Sequence, residues 1–147
     1  MKAVAYNIKN YERKLLALAN GKIHDLTLIS NPLNHNTIHY SFGKQVIIVS
    51  EEDIVDSMLL REIKNAGIEK IVTRSFSIEH IDLHCAKDLR IEIANTTFQD
   101  RTPKGIANQT IHNLNLWEKG ICVAKICRCF DDCKSPIVSQ VNEEHDK

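Results

Sequence analysis

Val46-Ile47-Ile48-Val49 is β-branched on both of its faces, and this run limits the architectures open to the chain more than any other feature. A strand lying on a half-solvated antiparallel sheet alternates apolar with polar residues. One that is apolar on both faces belongs in a parallel sheet covered on each side. Parallel neighbours cannot be joined by hairpins; they need crossovers, usually helical.

The flanking segments supply those crossovers. Lys2 to Ile8 reads as a first strand, and Asn10 as the N-cap of a helix carrying Tyr11, Leu15, Leu16, Leu18 and Ala19. Gly21 stands where a left-handed residue closes such a helix. Leu26 to Ile29 is a second strand, followed by a connection from Asn31 to Lys44 with one helical turn near Thr37 to Tyr40. Gln45 to Val49 is the third. Ser50-Glu51-Glu52-Asp53 has the pattern of a capping box, so Glu51, Glu52 and Asp53 read as helix-start residues rather than as a catalytic acidic cluster. Ile54, Val55, Met58, Leu59 and Ile63 form the apolar face of the helix expected there, which Gly67 ends. Ile68 to Thr73 is a fourth strand, and Ser77 is expected to cap a short helix through Ile81, Cys85, Ala86 and Leu89. Ile91 to Ala94 is a fifth strand. Thr102-Pro103 opens a last helix with Ile106, Ala107, Thr110, Ile111, Leu114 and Trp117 on one face.

This order predicts an α/β, flavodoxin-like, doubly wound domain. Its five-stranded parallel sheet is in the order 2-1-3-4-5, with helices on both faces. Ligands of such sheets bind at the carboxyl ends of the strands, here Asn7 to Tyr11, Ser50 to Asp53, Arg74 to Ser77 and Asn95 to Thr97.

Composition excludes several classes. The 147 residues suit one domain, and 19 basic against 19 acidic residues leave no excess charge to draw nucleic acid or an anionic membrane. No apolar run reaches the roughly 18 residues that cross a bilayer, and no leader pattern opens the chain, so a cytoplasmic protein is expected. The five glycines, Gly21, Gly43, Gly67, Gly105 and Gly120, are too far apart for a dinucleotide fingerprint or a P-loop. Cys122, Cys127, Cys129 and Cys133 crowd the C-terminal region. Four thiolates can hold zinc or an iron–sulfur cluster, but Cys127-Arg128-Cys129 is tighter than the usual C-x2-C knuckle, which leaves metal, disulfide and free thiol open. The pairs His80/His84 and His35/His39 have i, i+4 spacing without a third ligand, and no metal is expected from them.

The run Ile71-Val72-Thr73-Arg74-Ser75-Phe76-Ser77-Ile78-Glu79-His80-Ile81-Asp82-Leu83 resembles the substrate-domain segment of the D-2-hydroxyacid dehydrogenases, particularly the D-lactate dehydrogenase branch. There a strand ends in T-R-S-x-G-x-D-H-I-D-L, a helix of the A-K-x-L type follows, and a strand reads I-x-V-A-N. Ala86-Lys87-Asp88-Leu89 and Ile91-Glu92-Ile93-Ala94-Asn95 continue the likeness, and Ile106 to Leu114 is similar to the family's returning C-terminal helix. Between those two stretches full-length members carry their NAD-binding Rossmann domain, whereas this chain has only residues 96–102.

The resemblance implies a substrate-binding domain over residues 1–120, made of an N-terminal portion (residues 1–95), the junction 96–102 and a returning helix 103–120, with a cysteine-containing polar tail at 121–147. The Arg, Glu and His that bind and protonate substrate in the family come mainly from the absent domain. The resemblance therefore implies an engineered or natural truncation that is inactive alone, binds no cofactor and takes a 2-hydroxy or 2-keto acid at most weakly. Family dimers form largely through the cofactor domain, so a monomer is expected. The vestigial substrate-binding residues it points to are Arg74, Ser75, Phe76, Ser77 and Ile78, the loop whose backbone N–H groups resemble a carboxylate cradle. Ser77 stands where the family has glycine and is expected to hold a strained left-handed conformation, with Phe76 filling some of the space. Arg74 either touches the carboxylate or pairs with Asp53 or Glu79. The alternatives are a component that needs a separate cofactor chain, and a metal or redox module acting through the tail cysteines. The polar junction Gln99-Asp100-Arg101 favours a domain rebuilt to stand alone.

Overall fold

The computed structural model describes residues 1–122. Its sheet is five-stranded and parallel throughout, in the order β2-β1-β3-β4-β5 as expected. The strands are β1 (Lys2–Ala5), β2 (Asp25–Leu28), β3 (Val46–Val49), β4 (Lys70–Thr73) and β5 (Glu92–Ala94). The helices are α1 (Asn10–Asn20), α2 (Ser57–Asn65), α3 (Leu83–Asp88) and α4 (Pro103–Glu118), and Ile38–Ser41 makes one 3-10 turn. No helix among the described residues is long and apolar enough to cross a membrane.

Strand pleating divides the core into two layers. Ala3, Ala5, Val46, Ile48, Val72 and Ala94 face α1 and α4, where Leu16, Ile111, Leu114 and Trp117 cover them. Val4, Ile47, Val49, Ile71 and Ile93 face α2 and α3, under Leu59, Leu60, Ile63 and Ala86. Every residue of β3 is buried, which is what its two apolar faces require.

Two helix starts differ from expectation, and one contact explains both. Val55 pairs with Ile81 in an isolated parallel bridge: the Val55 N–H donates to His80 O at 2.8 Å and the Asp82 N–H to Val55 O at 3.0 Å. Both segments are thereby held extended, so neither helix can begin before the bridge. Helix α2 starts at Ser57 rather than after Ser50, with the Asp56 carboxylate accepting from Leu59 N–H. Helix α3 starts at Leu83 rather than after Ser77, with Asp82 accepting from Cys85 N–H. At α1 the N-cap is Lys9, and Asn10 is the first helical residue; Gly21 closes the helix at φ 53° as expected.

The last helix begins as its sequence indicates, with Thr102 Oγ1 accepting from Gly105 N–H and Pro103 in the first turn. Asp100 in turn accepts from the Thr102 N–H and hydroxyl, and those bonds hold its carboxyl below the usual range. Gly105 is required by this packing: a Cβ there would lie 2.2 Å from Asp100 Cγ and 2.5 Å from Asp100 O. Gly105→Ala must therefore shift backbone as well as side chain, and is expected to cost about 1–3 kcal/mol in urea denaturation. Unchanged stability would mean that the junction is loosely held.

The candidate substrate-binding edge

At the carboxyl end of the sheet, β4 sends consecutive residues to opposite layers. Arg74 goes to the α1–α4 side. Its side chain is 2% exposed and fully engaged: Nε donates to Glu12 Oε2 at 2.8 Å, Nη1 to Tyr6 O at 3.0 Å, and Nη2 to Asn7 O at 3.2 Å and Glu12 Oε1 at 3.3 Å. The expected alternative partners, Asp53 and Glu79, are not the ones used. Arg74 and Glu12 help line a cleft of about 100 Å³ between the starts of α1 and α4, with Tyr11, Leu16, Pro103, Ile106 and Ala107.

Asp53 instead ties three loops together. It is 2% exposed and accepts from Ser50 N–H at 2.9 Å, Leu33 N–H at 3.0 Å and Asn7 Nδ2 at 3.3 Å. These donors come from the loops after β3, β2 and β1, so the carboxylate sits at the point where the strand order reverses. The capping role that its sequence context suggests goes unfilled, because the Val55–Ile81 bridge separates it from α2. Asn7 adopts φ 58°, a conformation that asparagine tolerates and that ends β1 before Ile8.

On the α2–α3 side, Thr73, Ser75 and His80 form a hydroxyl–imidazole chain. His80 Nε2 lies 2.9 Å from Thr73 Oγ1, Thr73 Oγ1 lies 2.7 Å from Ser75 Oγ, and Ser75 Oγ donates to Ser77 O at 2.8 Å. This chain shapes the loop 75–78. The Ser77 hydroxyl accepts from Glu79 N–H, and Asn95 Nδ2 donates to Phe76 O at 2.7 Å. Ser77 is not strained, contrary to expectation. The non-glycine residues at positive φ among those described are Asn7, Lys22 and Arg90, and the loop gets its shape from these side-chain bonds instead. Phe76 turns outward, 55% exposed, with the Arg101 guanidinium 4.5 Å above its ring. The N–H groups of Phe76, Ser77 and Ile78 donate to no acceptor among the described residues. Three successive free N–H groups on one loop are the raw material of an anion cradle.

The junction 96–102 is fastened beside this loop. Thr96 N–H donates to Ser75 O at 3.0 Å, Phe98 N–H to Gln109 Oε1 at 2.7 Å, Gln109 Nε2 to Thr97 Oγ1 at 3.2 Å, and Arg101 Nη1 to Thr96 O at 3.2 Å. Asn113 Nδ2 donates to Asn95 O at 3.2 Å. Sequence reasoning misses Glu12, Thr73, Gln109 and Asn113. Only the last two leave a signal, as polar residues four apart on an otherwise apolar helix face.

The histidines of each i, i+4 pair have separate surroundings. His80 precedes α3 while exposed His84 pairs with Asp88, and His35 pairs with Glu62 while His39 stacks on Tyr40. Cys85 is a buried free thiol; Cys122 is partly buried against the α1–α4 layer, and Cys127, Cys129, Cys133 and the tail expectation lie outside the described residues.

No family model matches the chain. It is 26% identical over 112 residues to a 2-hydroxyacid dehydrogenase homolog of Haemophilus influenzae, covering 76% of this chain and 33% of that protein. An aromatic 2-oxoacid reductase of Clostridium sporogenes is 31% identical over 72 residues, 49% of this chain and 22% of the relative. The apo structure of Escherichia coli D-lactate dehydrogenase superposes with a TM-score of 0.62 at 25% identity, over 65% of this chain and 30% of that one. These neighbours point to the D-2-hydroxyacid dehydrogenase family. The chain spans a third or less of the length of each, the extent of a single dehydrogenase-type α/β domain.

The turn after β1 does not fit the pyrophosphate of NAD, the cofactor that full-length members of the resembled family carry in their separate Rossmann domain. A pyrophosphate needs a glycine-rich turn onto a helix N-terminus. After β1 the turn is Tyr6-Asn7-Ile8-Lys9, and Ile8 is buried in the core. At the start of α1 the Glu12 carboxylate already accepts from Lys9 N–H at 3.0 Å, placing negative charge where a phosphate would have to sit.

Proposed function

We propose that this chain is a substrate-binding domain of the D-2-hydroxyacid dehydrogenase type, separated from its cofactor domain by an internal deletion and without turnover on its own. The observation that carries this reading is the junction. β5 passes into α4 through residues 95–102 alone, and that link is bonded to Ser75 through Thr96 and to Gln109 through Thr97 and Phe98 rather than left as an open stub. Reduction of a 2-keto acid requires a hydride donor beside the carbonyl carbon and an acid to protonate the oxygen. Loop 75–78 could supply neither, since it offers backbone N–H groups that suit only the carboxylate end of such a substrate. Residual recognition is therefore weak and confined to that carboxylate, and Arg74 acts as a wedge between β4 and α1 instead of a ligand.

NADH oxidation measured with pyruvate or longer 2-keto acids is expected to stay at background. A rate that saturates with NADH would overturn the reading. A saturable rate appearing only with an added nucleotide-binding domain would support the two-component alternative. We also propose a cytoplasmic monomer, in line with the free thiol of Cys85. Light scattering is expected to give about 16.8 kDa, and twice that mass would contradict it.

A further inference from the structure

The chain of bonds from His80 to Ser77 has a direction. Ser75 Oγ spends its one proton on Ser77 O, so the short contact to Thr73 requires the Thr73 hydroxyl to donate to Ser75. Thr73 Oγ1 then has only lone pairs left for His80, and His80 Nε2 must carry the ring proton. The bare nitrogen is Nδ1, which is buried and has no hydrogen-bond partner among the described residues. A second proton on this ring would have to go there, into a place with no acceptor. The ring must then either keep an unsatisfied N–H or swing out and let go of Thr73.

We propose that His80 is the positioning residue of loop 75–78: neutral, it holds Thr73, Ser75 and the Ser77 carbonyl in line, and protonated at Nδ1 it releases them. That the loop receives a carboxylate rests on the function proposed above; the coupling of ring to loop does not. Burial lowers the His80 pKa, opposed by the negative charges of Glu51 and Asp53 on the β3–α2 loop. β4 meets the ring with the uncharged Thr73, while Glu79 beside it is exposed and Asp82 is engaged in capping α3. Because the folded pKa is depressed, the unfolded chain takes up this proton first. The contribution to stability is complete above the ordinary histidine pKa and is lost as pH falls through it toward the lowered value.

The test uses the full chain, labelled with 15N and followed by NMR from about pH 8 to 5, the span in which histidines titrate. The His80 ring is expected to titrate below the ordinary value with Nε2 protonated in the neutral form. The amides of residues 75–78 are expected to shift with the same midpoint. His80→Gln, which keeps a donor near the Nε2 position, is expected to leave those amides close to their neutral-pH positions and abolish their pH response. His80→Phe, which keeps the bulk without the donor, is expected to displace them at every pH. Loop amides that ignore the His80 midpoint in the unmodified chain would overturn the proposal, whether or not either variant folds. Oxamate added at neutral pH separates the two readings. Amides that follow the ring but ignore oxamate would uphold the positioning role and remove the carboxylate function, and the reverse pattern would do the opposite.

Discussion

Arg74→Met is expected to destabilise the domain by about 3–5 kcal/mol, the cost of breaking a buried ion pair from one side. The substitution retains the length and most of the apolar volume of the arginine stem, so the loss reports the guanidinium. Glu12 would be left as a carboxylate of low exposure facing apolar neighbours, and the carbonyls of Tyr6 and Asn7 would each lose a charged donor. In a double-mutant cycle with Glu12→Gln, the coupling between the two side chains is expected at about 1–3 kcal/mol. The two carbonyls remain unpaired in the double variant, so full recovery is not expected. A single-variant cost under about 1 kcal/mol would show that the pair is effectively solvated. The same variant also separates a wedge from a ligand. Arg74 lies in the α1–α4 layer, so any response of loop 75–78 to oxamate should survive its replacement.

Asp53→Ala is expected to cost about 3 kcal/mol by urea denaturation, because it strands three donors at once in a place 2% exposed. Asp53→Asn keeps the shape and should cost less. Its Oδ1 can still serve Leu33, while an NH2 group would then confront the Ser50 N–H. An alanine variant of unchanged stability would mean that the loops after β1, β2 and β3 are held independently of this carboxylate. The two variants probe different sides of the same edge, one pinning β4 to α1 and the other pinning the three loops together.

The fold is legible because its determinants are local and repeated. Four consecutive β-branched residues in β3, a Gly21 that ends α1, and Thr102-Pro103 opening α4 each act within one turn or one strand. Together they impose the parallel order. Boundaries are misread where a distant partner overrides a good local signal. Ser50-Glu51-Glu52-Asp53 has the composition of a helix start, yet the bridge between Val55 and Ile81 holds the chain extended and Asp56 becomes the cap. Ser77 loses its capping role to Asp82 for the same reason.

The candidate site divides in the same way. Sequence alone places Arg74 to Ile78 at the carboxyl edge of β4 and shows that the glycine spacing of a nucleotide cradle is missing. It cannot say where Arg74 turns, because Glu12 is 62 residues away and nothing in the spacing announces it. Nor can it foresee that Thr73, Ser75 and His80 join in one chain of bonds, or that Asp53 collects donors from three loops. The sequence determined the layers and their order, since backbone conformation and apolar periodicity are set by neighbours along the chain. Tertiary structure alone decided the partners of each buried polar group, since a charge or hydroxyl removed from water must bond whatever the folded chain brings within reach.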